Sequence, residues 1–428
     1  MISEKVVSNR FVFHYRYILV VGTFLLALLL YVDRILISVA KPGITEDLLL
    51  TDKQFGWVMS IFSLGYALFQ IPGGYLADKF GARKVLAGIV AFWSLFTGLT
   101  AYAWNFTSLM IFRFLFGAGE AGAYPGINKI VFNWIPVQER GMVNGINFSA
   151  GRLGAAFALP LIAILIQMIG WQYSFLVLTV IGFSWATLWY FLFRDQPTEY
   201  ASISREELDY ILVNRQNENE TDVKGSVGAF LIKSKSVWLL MIQYFASNFT
   251  FFFCLTWLLP YMKTKFDLDL VYASTLSSIP LIFGALGNLS AGFLVDKMYE
   301  KGFKFKSRTI TAIIGFLSSG VGLIFSMQAN TPIEATVFLS LAIFGADMTL
   351  SPSWASCSDI GGKFSGTVSS TMNMFGNLGA FLTALAFPYL LDWTGSYEPF
   401  FYIGAMLNMV AIMAWILLGS IKQTKIFN

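Results

Sequence analysis

Residues 17–40 read YILVVGTFLLALLLYVDRILISVA. A bilayer core is crossed by about 20 mostly apolar residues in helix, so this stretch is long enough to span a membrane. It is too long and too apolar for an ordinary buried helix of a soluble domain. Its one interruption, Asp33-Arg34, puts two charges inside the run. Working outward from it, eleven further apolar runs follow: 55–77, 85–104, 108–130, 143–168, 171–193, 237–260, 272–295, 308–327, 333–357, 366–390 and 397–420. The expected architecture is an all-α membrane protein of 12 transmembrane helices. A membrane β-barrel is excluded, because its short alternating segments look nothing like these runs.

Composition agrees. Of 428 residues, 56% are apolar and only 13% are charged, about half the charged share of a soluble domain. A soluble enzyme, a disordered chain and a nucleic-acid partner are excluded. Cys254 and Cys357 sit in apolar runs with no disulfide or metal spacing, and His14 is the only histidine. No metal site, catalytic pair or cofactor is therefore expected. The first run is too long for a cleavable signal and lacks a small-residue cleavage site.

The polar stretch 194–236 separates six runs from six. The chain is read as a bundle at 1–193, a cytoplasmic linker at 194–236 and a second bundle at 237–428. Within the linker, Ser204-Arg-Glu-Glu207 reads as a capping box that opens a short surface helix. Placing the N-terminus in the cytoplasm puts 22 Lys and Arg on that side and only Lys41, Lys53, Lys263 and Lys265 on the other. That bias puts both termini inside, in a cell membrane of the bacterial inner-membrane type.

The halves repeat. Gly74-Tyr-Leu-Ala-Asp78-Lys79 recurs 218 residues later as Gly292-Phe-Leu-Val-Asp296-Lys297, and Gly151-Arg-Leu-Gly-Ala155 recurs after 225 as Gly376-Asn-Leu-Gly-Ala380. Duplicated six-span halves favour a carrier with its substrate site between them, near the midplane. The string Gly74-x-x-x-Asp78-Lys79-x-Gly81-x-Arg83-Lys84 resembles the loop signature of the major facilitator superfamily, with Asp296 and Arg308 in its degenerate partner. Such a cluster can pair across helix ends and latch one arrangement of the halves; a merely basic loop is the plainer alternative.

Six ionisable groups fall in the interiors of runs, clear of their ends: Asp33, Arg34, Arg113, Glu120, Arg152 and Asp347. Each is costly there, so each is a functional candidate, although three of each sign permit full internal pairing. Arg113 and Glu120 share a helix face about 10 Å apart along the axis, too far for contact unless the arginine bends back. Gly117, Gly119 and Gly122 around Glu120 allow a neighbouring helix to approach closely. Burial and a nearby arginine act oppositely on a carboxyl, so Glu120, with Asp33, is the expected proton carrier. Arg34 offers a five-donor fork to a carboxylate; pairing with Asp33 is the structural alternative, though adjacent helix residues point about 100° apart. Tyr31, Ser63, Tyr66, Gln70, Ser370, Asn373, Asn377, Ser351, Trp354 and Ser358 add neutral polar faces. One cation among many neutral donors suits a hydroxylated anion.

The strings Tyr31-Val-Asp33-Arg34-x-x-x-Ser38-x-Ala40, Arg113-x-x-x-Gly117-x-x-Glu120-Ala-x-x-x-Pro125, Pro136-x-x-Glu139-Arg140 and Gly151-Arg152-Leu153-Gly154 resemble the anion:cation symporter branch of that superfamily, which includes hexuronate, aldonate and glucarate permeases. The resemblance implies proton-coupled symport of an organic anion by alternating access. It implies Arg34 as carboxylate ligand, Asp33 and Glu120 as proton sites, and Tyr31, Tyr66, Trp354, Ser358 and Asn373 around the substrate. Arg140 and Arg113 join Gly74, Asp78, Arg83, Asp296 and Arg308 as latch or structural positions. Arg152 departs from the sugar-acid permease pattern. It either holds a second acid group or neutralises Glu120 or Asp347, and Asp347 has no match. A small organic anion, protons and the lipid bilayer are the expected partners of a monomer. A sugar-phosphate antiporter and a metabolite or siderophore exporter are the alternatives; the former would need a basic residue in the seventh run, which has none.

Overall fold

A computed structural model describes residues 14–136, 140–214, 231–361 and 365–420. In chain order the helices are α1 (Tyr15–Val39), α2 (Lys41–Asp47), α3 (Asp52–Phe80), α4 (Ala82–Thr100), α5 (Phe106–Glu120), α6 (Ala123–Trp134), α7 (Arg140–Leu192) and α8 (Arg205–Asn214). There follow α9 (Lys235–Thr256), α10 (Leu258–Lys265), α11 (Leu270–Met298), α12 (Lys304–Met327), α13 (Pro332–Met348), α14 (Leu350–Gly361), α15 (Ser365–Thr394) and α16 (Glu398–Ser420).

Local chemistry sets the boundaries. Thr51 with Gln54 and Thr331 with Glu334 form capping boxes that satisfy free N–H groups at the starts of α3 and α13. Gly81 between α3 and α4 takes φ +83°, where a side chain would be strained and its Cβ would lie 2.5 Å from Asp195 Oδ2. Among the described residues, ten helical segments are long and apolar enough to cross a membrane. The difference from twelve runs has two sources. Gly170, at φ +82° and ψ 165°, is non-helical and divides the 48-residue stretch Gly145–Leu192 into two helices that follow each other without a loop, so the fifth and sixth runs count there as one segment. The fourth run is drawn as two helices, α5 and α6, each too short to span alone.

That break has a cause in sequence. Pro125 lacks the N–H that would bond the Ala121 carbonyl, so the helix loosens after Glu120. Pro352 does the same to Met348, and α13 gives way to α14 just after Asp347.

In the first half α1 packs on α7, α3 on α5 and α4 on α7; in the second, α9 packs on α15 and α16, α11 on α13, and α12 on α13 and α16. The halves meet along α3–α15 and α7–α11. The repeated glycines do equivalent work. A Cβ on Gly151 would lie 2.5 Å from the Tyr31 ring and one on Gly376 2.6 Å from the Tyr244 ring. One on Gly154 would meet the Leu28 carbonyl at 3.0 Å, and one on Gly379 the Phe245 carbonyl at 2.4 Å. Large apolar side chains such as Ile71, Leu161, Met168, Val180, Phe293 and Met406 lie exposed around the bundle, as a lipid-facing surface requires.

The linker differs from its expected role. Glu207 N–H does donate to Ser204 Oγ (3.2 Å). Its carboxylate, however, is 4% exposed and accepts from Tyr15 N (2.9 Å) and Arg16 N (3.0 Å). The linker helix therefore caps α1 rather than completing its own box.

Candidate functional site

Tyr31 and Arg34 stand one turn apart on α1, and both are buried. Arg34 Nε donates to Glu120 Oε2 at 2.7 Å, and Glu120 is fully buried. The guanidinium carbon lies 5.1, 5.1 and 4.9 Å from the ring centres of Tyr31, Phe62 and Tyr66. Arg34 Nη2 and Glu120 Oε1 have no hydrogen-bond partner among the described residues. The pair thus uses one donor and one acceptor and leaves a second of each without a partner, with three aromatic rings around the guanidinium.

Asp33 points elsewhere. Its Oδ2 accepts from Trp93 Nε1 (3.1 Å) and Oδ1 is unpartnered. Arg34 therefore pairs with Glu120, not with its neighbour. Arg113, 2% exposed, lies over Phe116 (4.5 Å) and Phe62 (5.1 Å) and makes no ion pair with Glu120. It belongs to this buried cluster, not to a loop latch. Electrostatically it acts on both Asp33 and Glu120.

A second centre lies beside the first. Arg152 of α7 grips Asp347 of α13 by a two-bond fork, Nε to Oδ2 at 2.9 Å and Nη2 to Oδ1 at 2.8 Å. Its remaining terminal nitrogen donates to Tyr31 OH (2.9 Å), and its guanidinium carbon lies 3.6 Å from the centre of the Phe251 ring. Both charged groups are buried. Such a fork is the strong, directional form of ion pair, and here it joins the two halves. Of the alternatives for Arg152, neutralisation of Asp347 is the one this geometry contains.

The neutral positions are spread around these centres. Ser63, Tyr66 and Gln70 are all buried on α3. Trp354 donates to Tyr244 OH (3.2 Å) and its ring lies 5.6 Å from that of Phe148. The expected single face of Asp347, Ser351, Trp354 and Ser358 is interrupted at Thr349, between α13 and α14. Asn373 is half-buried and its carbonyl accepts from Asn377 Nδ2 (2.9 Å). The side chains of Ser358, Asp78, Arg140 and Asp296 lie outside the described residues. Gly74 leaves 3.6 Å between an added Cβ and Pro125. Arg83 N–H donates to Asp195 Oδ1 (2.9 Å) and Nε to the Tyr190 carbonyl (2.7 Å), tying α4 to the end of α7. The Arg308 guanidinium carbon lies 6.0 Å from the Phe305 ring centre.

Sequence reasoning missed Trp93, Phe62 and Phe251, which no pattern marks as polar partners. It also missed the equivalence of Glu120 and Asp347, which a pattern does mark. Glu120 precedes Pro125, and Asp347 precedes Pro352, by five residues, at an offset of 227.

Among the described residues, the hydrogen bonds and ion pairs between the halves lie at the midplane or on the side away from the termini. Ser38 Oγ donates to the Thr256 carbonyl (3.0 Å), Trp57 Nε1 to Tyr389 OH (3.1 Å) and Ser60 Oγ to the Phe381 carbonyl (2.9 Å). Lys53 pairs with Asp392 at 2.5 Å.

This fold and this buried charge pattern are those of a membrane transporter, and the comparisons with known proteins agree. The family model for the Major Facilitator Superfamily matches residues 23–384. The chain belongs to the Major Facilitator Superfamily; it is a multi-pass membrane transporter, not an enzyme. It is 32% identical to a probable sulfoacetate transporter, SauU, of Cupriavidus necator, with 89% of each chain covered. It is 31% identical to the hexuronate transporter of Bacillus subtilis, covering 91% of this chain and 92% of that one. It is 29% identical over the full length of both to a probable galactarate/D-glucarate transporter, GarP, of Escherichia coli. Among solved structures, an inward-facing bacterial homologue of the human lysosomal transporter Spinster superposes with a TM-score of 0.72 at 19% identity, covering 95% of each chain. These curated relatives are named for organic anions, in keeping with the sugar-acid permease resemblance read from the sequence.

Proposed function

We propose that the protein is a proton-coupled symporter of an organic anion, a sugar acid or related carboxylate, working by alternating access in a bacterial cytoplasmic membrane with both termini inside. The observation that carries this reading is the half-used Arg34–Glu120 pair. A substrate carboxylate and Glu120 compete for one guanidinium. In a dry site Arg34 stays charged, so it cannot be left without an anion. When Glu120 carries a proton it no longer needs Arg34, and the fork turns to the substrate. When the proton leaves, Glu120 recaptures Arg34 and expels the substrate carboxylate. Binding of anion and proton are thereby linked, which is what symport requires.

The rest of the site supports this. Asp33, with one unpartnered oxygen beside Trp93, is a second proton site within reach of the fields of Arg113 and Glu120. Tyr66, Gln70 and Asn373 offer neutral hydrogen-bonding groups for hydroxyls, while the Trp354 N–H is held by Tyr244 OH. α9 carries its only basic residue, Lys235, at its first position, so the cation a sugar-phosphate antiporter would place in this span is missing. The test is anion binding and uptake by purified protein in proteoliposomes, using D-glucuronate, D-glucarate, sulfoacetate and neutral sugars. Binding of a carboxylate that Arg34→Ala abolishes is expected. Binding of neutral sugars, unaffected by Arg34→Ala, would overturn the reading.

A further inference from the structure

Arg152 and Asp347 carry a buried ion pair that the Arg34–Glu120 scheme leaves unused, and its surroundings are those of a binding site. Tyr31 stands between the two arginines. The Arg34 guanidinium carbon is 5.1 Å from its ring centre and that of Arg152 is 5.7 Å away. The two cations are therefore no more than about 11 Å apart, a gap that a compact molecule with an acid at each end spans.

The acids that hold them correspond as well. Glu120 and Asp347 sit at the same point of spans four and ten, each just before a proline-induced break. Each pairs with one arginine, Asp347 by the two-bond fork of Arg152 and Glu120 by a single bond from Arg34 Nε. If Glu120 holds the place of a substrate carboxylate at Arg34, Asp347 holds the equivalent place at Arg152. The room it occupies is made for it: Gly284 of α11 lies where a Cβ would come within 2.4 Å of Asp347 Oδ2. The fork is also the midplane tie between the halves, α7 on one side and α13 on the other.

We infer that the substrate is a compact dianion, and that Asp347 is an internal stand-in for its second acid group, handing Arg152 over when that substrate binds. The inference rests on Arg34 as the first anion ligand. A dianion bridges Arg34 and Arg152, both of the first half, and Asp347 leaves the fork carrying a proton taken up from the bulk solution, whose buffer supplies it. The exchange replaces the inter-half ion pair with contacts to a mobile ligand, so a bound dianion loosens the midplane tie between the halves. A monoanion, holding Arg34 alone, leaves the tie intact.

The test compares two molecules of one carbon skeleton, D-glucarate with two carboxylates and D-glucuronate with one, with sulfoacetate as a short dianion. Affinities are measured by titration calorimetry on the full-length protein in detergent. The wild type is expected to prefer a dianion over D-glucuronate. Arg152→Gln is expected to lower the dianion-to-monoanion affinity ratio at least tenfold. Asp347→Asn, which frees Arg152, raises that ratio and removes one proton from the uptake that accompanies dianion binding, read from buffers of different ionisation enthalpy. Gly284→Ala pushes Asp347 off the fork without deleting a charge and raises the ratio in the same direction, so the inference does not hang on the folding of one variant. A ratio that none of the three variants changes, or a wild type that binds D-glucuronate and neither dianion, would overturn it. Carboxylate binding that persists in Arg34→Ala counts against the anion reading itself, whatever Arg152 does.

Discussion

Asp347 meets Arg152 by two hydrogen bonds of 2.8 and 2.9 Å across the boundary between the halves. Arg152 and Asp347 are 7% and 1% exposed. Breaking a buried pair by removing one member leaves an uncompensated charge, a loss of about 3–5 kcal/mol. Removing both is far less harmful. Asp347→Ala is expected to lower the thermal unfolding midpoint in detergent sharply. The double variant Arg152→Leu with Asp347→Leu should recover most of the loss. Losses that simply add would show that the two side chains do not act as a unit.

Glu120 makes the corresponding prediction for coupling. Glutamine keeps the size of Glu120 and cannot take up or release a proton. Glu120→Gln is expected to abolish proton-driven uphill accumulation while counterflow exchange of anion across equal concentrations continues. The readout is labelled-anion uptake in proteoliposomes with and without a pH gradient. Gradient-driven accumulation by Glu120→Gln would remove Glu120 from the coupling path.

The amount legible in the sequence follows from what each feature depends on. Spans are local: a run such as 17–40 announces itself, because lipid demands about 20 apolar residues in a row. The repeat of Gly151 and Gly376 was legible too, because the same helix contact demands the same small residue twice. Charged candidates were legible because charge in a span is rare. Their partners were not. Spacing alone offered Arg34 only its neighbour Asp33, whereas its pair with Glu120 is made across 86 residues. Arg152 finds Asp347 from 195 residues away, a contact that depends on how two bundles dock. Glu207 read as part of a local box because Ser204 is three residues away; the free N–H groups of α1 are the stronger claim on it.

The side away from the termini is closed by backbone proximity more than by charge. The Lys53–Asp392 pair is partly exposed on both sides, and exposed pairs contribute about 0–1 kcal/mol. Gly56 is different: an added Cβ would lie 2.8 Å from the Ala384 carbonyl and 2.9 Å from Pro388. Gly56→Val is therefore expected to hold that side open, whereas Lys53→Ala leaves it closed. Spin labels at Leu49 and Trp393, both exposed on that side, report the separation by pulsed electron resonance. A longer mean distance in Gly56→Val and an unchanged one in Lys53→Ala are expected. Equal lengthening in both would assign the closure to the ion pair.

Glu207 ties the linker to the first span. The first N–H groups of any helix lack internal partners, and Glu207 supplies acceptors for two of those in α1, at Tyr15 and Arg16. Its negative charge also suits a helix N-terminus and lies 3.5 Å from the buried Arg16 guanidinium. Loss of a cap costs about 1 kcal/mol, and loss of the counter-charge adds to it. Glu207→Ala is expected to lower the unfolding midpoint and speed hydrogen exchange at the amides of residues 15–18. Glu207→Gln, which keeps an acceptor and gives up the charge, should fall between Glu207→Ala and the native protein. If Glu207→Gln matched Glu207→Ala, the charge would account for the whole effect; if it matched the native protein, the hydrogen bonds would. An unchanged exchange rate in both variants would mean that α1 is held by its packing on α7 alone.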